Sequence, residues 1–361
     1  MPPVTTVEEH VARLSAAPHT SSYGALSRTV REAGLLRRAY GYYLRIAGGL
    51  ALAFAGAATG FVLLGDSWFQ LLIAGALGVI LTQCAFLAHE AAHRQVLASG
   101  PANDRVGRIL ANAVVGISYS WWMSKHSRHH ANPNHVGKDP DVADDVIVFT
   151  EQAARERRGL LALVTRHQGW LFLPLLTLEG LNLHLTSVRS LMRRTGPPAR
   201  AAELTTIGVR LALGTAVVLW WLPPGLAFAF LGVQLAVFGV YMGASFAPNH
   251  KGMALVPDGS HLDFLSKQVL TSRNIRGGAW TNALMGGLNH QVEHHLFPSM
   301  PRPHLPRARL LVREHCAAHA VPYTETSLLR SYAIVVGYLN RVGLAARDPF
   351  DCPTRQTLRG Y

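Results

Sequence analysis

The stretch HSRHHANPNHVGKDPD, residues 126 to 141, holds four imidazoles within ten residues, His126, His129, His130 and His135, and then Asp139 and Asp141. Two further clusters accompany it, HEAAH with His89 and His93, and NHQVEHH with His290, Gln291, His294 and His295. In a helix, residues three and four apart share a face. His89 and His93 therefore present together, as do His126, His129 and His130, and as do Gln291, His294 and His295. Neutral imidazole is a ligand for iron, zinc, copper and nickel. At roughly 5% histidine, a given H-x-x-H-H arises by chance in about one chain in twenty of this length, so its company of two more clusters makes coincidence a poor account. The seven histidines of H-x3-H, H-x2-HH and Q-x2-HH exceed the needs of one four-coordinate zinc, which points to two metals.

His250, in APNHKG, is placed to be an eighth ligand, with Asn249 beside it as a helix cap or a group supporting the ligands. His135, His290 and Gln291 are possible ligands or supports. Asp139 and Asp141 suit either of two tasks, accepting hydrogen bonds from ligand imidazoles or starting a turn or helix. Glu90 and Glu293 lie between ligands and so point off the ligand face. His184 reads as a polar contact inside an apolar run, and His10, His19, His167, His261, His304, His315 and His319 as surface or loop residues. Trp121 and Trp122 suit an interfacial belt or a pocket wall. Cys84, Cys316 and Cys352 are too scattered for a disulfide framework or a thiolate site.

The elements that position these groups are written in the composition. Of 361 residues 49% are hydrophobic and 15% charged, and the mean hydropathy is +0.17, values of an integral membrane protein. The net charge of +13 comes from arginines beside apolar runs, as in RRAYGYYLR and RSLMRRTGPPAR. That pattern marks cytoplasmic loops facing anionic lipid rather than a nucleic-acid surface. A span needs about 20 apolar residues. Residues 46–65 and 67–88 supply one hairpin, and 204–222 and 226–247 a second, with Arg210 free to snorkel. The segment 170–188 is apolar but interrupted by Pro174, Glu179, Asn182 and His184, and arginines flank both its ends. Positive flanks on both sides argue that its two ends lie on one face, so it is read as embedded or interfacial. Four spans then leave the N-terminus, residues 89–203 and everything from 248 on the cytoplasmic side, where all three clusters converge. The expected architecture is an all-α integral membrane protein of four transmembrane helices in two hairpins under a helical cytoplasmic cap that holds the metals. Its parts are an N-terminal segment 1–34, a catalytic unit 35–325 and a tail 326–361, with no signal peptide in the first 20 residues.

On these boxes the sequence resembles the membrane fatty acid desaturases. His89/His93, His126/His129/His130 and Gln291/His294/His295 match the family's three histidine boxes in order and spacing, and NHQVEHHLFPSMPRPHL and HHANPNHVGKDPD resemble its acyl-lipid and front-end branch. The resemblance covers about residues 35 to 325. It implies two iron ions that use O2 and two electrons to insert a double bond into a fatty acyl chain carried on CoA, acyl carrier protein or phospholipid. The bacterial inner membrane, with the active site facing the cytoplasm, is the expected location. Many front-end relatives carry a fused cytochrome b5 domain with an H-P-G-G motif. This sequence has none, so a separate donor such as a ferredoxin or a flavin/iron–sulfur reductase is expected. The acyl-CoA branch has an asparagine four residues before its extra histidine, where Phe246 stands here, so that contact is not transferred. A narrow apolar tunnel lined by parts of 170–190 and the span ends would hold the chain. Competing readings are a di-iron hydroxylase or ketolase, which shares the first hydrogen abstraction, and a histidine-rich metal transporter. Transport would place ligands at mid-membrane, whereas these lie just beyond the span ends. A haem cytochrome would need histidines inside facing spans, and the four main spans contain none.

Overall fold

The computed structural model describes residues 22–193, 199–260 and 262–347. In chain order its helices are α1 (Tyr23–Glu32), α2 (Tyr40–Leu64), α3 (Gln70–Ala92), α4 (Gly100–Arg108), α5 (Tyr119–Ala131), α6 (Glu151–Glu156), α7 (Gly159–Arg166), α8 (Gln168–Met192), α9 (Arg200–Trp221), α10 (Pro224–His250), α11 (Phe264–Leu270), α12 (Ala279–Leu284), α13 (Gln291–Leu296), α14 (Leu305–Ala318) and α15 (Leu328–Leu344). The two strands among the described residues form a parallel pair, β1 (Asn274–Ile275) against β2 (Glu325–Thr326), and an isolated parallel bridge joins His135 to Val256.

The two expected hairpins form. The α2–α3 turn is made at Gly65, whose φ of +52° is easy only without a Cβ. Gln70 closes it, its Nε2 donating to Phe61 O at 2.7 Å and Gly65 O at 3.0 Å. The second hairpin turns at Leu222–Pro223, and Pro224 sits in the first turn of α10, where a missing N–H costs nothing. The hairpins meet along α3 and α10. Gly78 permits the approach, since a Cβ there would lie 2.9 Å from Gln234 O, the small-residue contact by which membrane helices associate. Leu44, Leu52, Leu63, Trp220 and Phe228 remain exposed on the outer faces, as lipid-facing side chains should.

The segment 170–188 lies in one 25-residue helix, α8, that continues through Pro174, so among the described residues five helices are long and apolar enough to cross a bilayer by length and composition, the four of the two hairpins and α8. Its polar residues satisfy one another without breaking the helix. Asn182 Nδ2 donates to Glu179 Oε2 at 3.1 Å, Thr186 to Asn182 at 3.2 Å, and the His184 ring bridges Gly180 O at 2.6 Å and Val115 O at 3.2 Å. α8 crosses α10 with Gly180 against Gly239, backbone to backbone. The chain is thus a multi-pass, all-helical membrane protein.

Beyond the hairpins, α1, α11, α13 and α14 share a core of Leu26, Val30, Val269, Val292, Leu296 and Val312. Glu203, at the start of α9, is buried and holds the entry to α5, accepting from Arg108 at 3.0 Å and from the Ser118 and Ser120 hydroxyls at 2.5 Å. Ser118 in turn caps α5, accepting from Trp121 N at 3.1 Å. The helix bearing the second cluster is therefore fixed at its first residue.

Candidate metal centre

Both hairpins deliver a histidine as they end. His89 lies on the last turn of α3, His93 caps that helix, and His250 is the last residue of α10. α5 supplies His126, His129 and His130, and the buried six-residue α13 supplies His294 and His295. These eight residues gather into two groups, His89, His93, His126, His130 and His294 in the first, and His129, His250 and His295 in the second. Within each group the ligand nitrogens lie within 4.8 Å of one another.

Inside the first group His126 Nε2 stands 3.1 Å from His89 Nε2 and 2.8 Å from His93 Nε2. In the second, His250 Nε2 lies 3.3 Å from His129 Nε2 and 2.9 Å from Gln291 Nε2. The inward Nε2 atoms of His130, His294 and His295 are buried with no hydrogen-bond partner. Buried polar atoms are rarely left so, and converging nitrogen lone pairs without donors are what a cation requires. The outward nitrogens of the second group are held. His129 Nδ1 donates to Asp139 at 3.0 Å, His250 Nδ1 to Thr271 O at 2.9 Å, and His295 Nδ1 to Gln268 Oε1 at 2.8 Å. Each bond fixes the tautomer that leaves the Nε2 lone pair facing inward. Burial, aided by neighbouring imidazoles, holds His126, His130, His294 and His295 well below the usual histidine range, and burial alone pushes His93 down to about 3. At neutral pH these rings are in the uncharged, ligating form. The donor set fits two histidine-bound metal ions.

Asp139 is a buried acceptor with several partners. It accepts from His129, and it starts the turn at 140–142 by accepting from Asp141 N at 2.9 Å, besides Asn134 N at 2.7 Å. Asp141 pairs with Lys125 at 2.7 Å and approaches His129 Nδ1 to 3.4 Å. Asn249 lies outside both groups, donating to Ser245 O at 2.9 Å and Gln291 Oε1 at 3.3 Å. His135 and His290 are outside them as well, the former with Nδ1 2.8 Å from Val136 O. Glu90 turns away from the metals to a bidentate pair with Arg302, at 2.7 and 2.5 Å. Glu293 turns to Asn274 and Tyr323, both at 2.7 Å, and its burial pushes the carboxyl up to about 7. His167, His304, His315 and His319 sit on backbone or serine partners away from the site. His10, His19, His261 and Cys352 lie outside the described residues.

A cavity of about 250 Å³ opens beside the two groups. Its walls include His89, His126, His129 and His250, with Phe172, Leu176, Leu183 and Phe246 among the apolar lining. Trp122 forms part of the wall and stacks on His126, with ring centroids 4.4 Å apart. Five groups at or beside this site were not singled out as functional from the sequence. Gln268 and Thr271 share no spacing with the ligands they orient. Glu179, seen only as an interruption, belongs to the stripe Phe172, Leu176, Glu179, Leu183, whose steps of four, three and four mark one helical face. Lys125 and Lys251 are sequence neighbours of ligands and also line the cavity.

Comparison with known proteins places this geometry among relatives. Residues 66–327 match the family described as fatty acid desaturase. The chain is 28% identical over 274 residues to an acyl-lipid (9-3)-desaturase of Physcomitrium patens, covering 74% of this chain and 52% of the relative. It is 27% identical over 307 residues to a Delta(8)-fatty-acid desaturase of Helianthus annuus, covering 79% and 65%. A Delta(5) fatty acid desaturase of Caenorhabditis elegans, fat-4, is 30% identical over 268 residues, covering 68% and 58%. The chain spans about half to two thirds of the length of these curated relatives.

Proposed function

This chain belongs to the fatty acid desaturase family, and on that premise we propose that it introduces a C=C double bond into the acyl chain of a lipid. The observation that carries the reading is the pair of histidine groups set in the wall of a largely apolar cavity. Methylene C–H bonds offer no acid or base handle, so a metal must supply the reactivity while the protein supplies position. The ligands are His89, His93, His126, His130 and His294 for one iron and His129, His250 and His295 for the other, with Gln291 beside His250. When bound, the two irons supply the oxidising power drawn from O2. In balance, –CH2–CH2– with O2, two electrons and two protons gives –CH=CH– and two waters. A separate ferredoxin or flavin/iron–sulfur reductase supplies the electrons.

The protein's own share is orientation. Asp139, Thr271 and Gln268 keep three Nε2 lone pairs inward, and Gln268 Nε2 also donates to His130 O at 2.9 Å, tying the second and third boxes together. Phe172, Leu176 and Phe246 exclude water from the acyl chain. The topology that fits is four crossings, with α8 embedded beside α10. α8 has Arg166 before it and Arg189 in its last turn, and its apolar face lines the cavity. The catalytic unit is 35–325, and the metal-bearing face is cytoplasmic. The relatives named above come from eukaryotes, so they lend no support to a bacterial inner membrane. The test is expression in a host membrane followed by mass spectrometry of its fatty acids. New double bonds that vanish in His294→Ala are expected. Hydroxylated chains would instead identify a sister oxygenase, and unaltered lipids from an iron-loaded protein would overturn the reading.

A further inference from the structure

Besides the histidines and the apolar side chains, the cavity wall carries four charged residues, Lys125, Asp141, Glu179 and Lys251. Lys125 Nζ is 2.7 Å from Asp141 Oδ1, and about a third of each side chain is exposed, 36% and 34%. Lys251 Nζ donates to Asp141 O at 2.5 Å and lies 4.0 Å from the centre of the Phe149 ring. Glu179 is near enough for its charge to act on Lys125. An ion pair set in the wall of an apolar cavity is costly unless it meets a polar partner.

Two features define that partner. An ammonium has three N–H donors, and Asp141 is the one polar side-chain contact of Lys125 among the described residues, which leaves donors free to face the cavity. Three carboxylates, Asp139, Asp141 and Glu179, act on Lys125 against the two ammoniums of the cluster, so it disfavours a further anion. A neutral carbonyl oxygen satisfies both conditions, and a free carboxylate would be repelled.

We propose that Lys125 is the donor that receives the carbonyl oxygen of a neutral acyl ester or thioester, anchoring the acyl chain by its head in this cavity. The inference deepens the desaturase reading and rests on it in taking the cavity to be where the chain reacts. Lys125 immediately precedes His126 on α5, and its partner Asp141 approaches His129 Nδ1 to 3.4 Å. The anchor and three of the eight ligands therefore share one helix, which sets the carbonyl at a fixed distance from the metals.

The test is equilibrium binding of radiolabelled methyl oleate, octadecene and oleate to the iron-loaded full chain in detergent, with iron per chain measured in parallel. The wild type is expected to favour methyl oleate over both other probes. Lys125→Met should weaken methyl oleate about tenfold, the worth of a hydrogen bond to a charged donor, and leave octadecene binding and iron content unchanged. Unchanged ester affinity overturns the proposal. So does equal weakening of ester and hydrocarbon, which would make Lys125 a shaper of the cavity. A fall in iron together with ester affinity also overturns it, since Lys125 would then be a support for Asp141 and His129. If the methionine variant does not fold, Lys125→Gln keeps a neutral donor and should show a smaller loss confined to the ester. A wild-type protein that binds esters in this Lys125-dependent way but makes no double bond would overturn the desaturase reading and leave the anchor standing.

Discussion

The Glu90–Arg302 pair is expected to be the most sensitive structural joint outside the ligands. Glu90 lies between His89 and His93 on α3, and Arg302 follows the last histidine of the third box by seven residues, so the pair clamps one box to the other. Both are nearly inaccessible, at 2% and 1% exposure. The contact is bidentate at 2.7 and 2.5 Å, and Tyr43 adds a hydroxyl that stands 3.4 Å from Glu90 Oε1 and accepts from Arg302 N at 3.2 Å. Burial alone would lower the pKa of the Arg302 guanidinium, and Glu90 more than reverses this. Arg302→Met leaves a buried carboxylate without its counter-charge, at a cost of about 3–5 kcal/mol. Glu90→Met strands the guanidinium at a similar cost. The double variant removes both charges and should cost under about 2 kcal/mol, because two apolar side chains in the same space forgo the desolvation of two ions. The singles thus fail to add, with a coupling of at least about 4 kcal/mol, above the roughly 0.5–3 kcal/mol that neighbouring contacts in general give. The assay is an SDS titration in mixed micelles, following the folded fraction by tryptophan emission, with iron per chain measured on the same samples. A single-variant cost below about 1 kcal/mol, or additive costs, would refute the claim that the pair is a buried clamp whose halves depend on each other.

The remaining expectations concern the site and the helix crossing. His294→Ala should lose the iron of the first group and His129→Ala that of the second, each dropping about one metal per chain by mass-spectrometric metal analysis. Loss of both, or of neither, from each variant would refute the division into two groups. Asp139→Asn keeps the shape but removes the charge that orients His129, and chelator competition should show iron held about 10- to 100-fold more weakly. Gly239→Val puts a branched side chain against the Gly180 backbone, and the overpacking should cost about 1–3 kcal/mol in the same SDS titration. An unchanged midpoint would mean that α8 does not bear on α10 there.

Much of the site was legible because its spacing is local. A helix returns to the same face every three or four residues whatever surrounds it, so His126, His129 and His130 had to project together from α5. Apolar length likewise determined the two hairpins, each of which ends on a histidine, His89 in one and His250 in the other. The turn at Gly65 and the proline at Pro224 carried their own signals. Only the tertiary structure decided how the ligands divide. His129 faces His250 and His295, and not its helix neighbours His126 and His130, because Asp139, Thr271 and Gln268 pull the outward nitrogens of this trio into place. Those partners lie 10, 21 and 27 residues from the rings they hold, distances with no periodicity to betray them. The same holds for α8, whose polar residues looked like interruptions until Val115 and the helix itself satisfied them, and for Lys125 and Glu179, which α5 and α8 bring to one cavity. Backbone periodicity is a property of a few residues, whereas which lone pair meets which donor is settled only when distant helices close on one another.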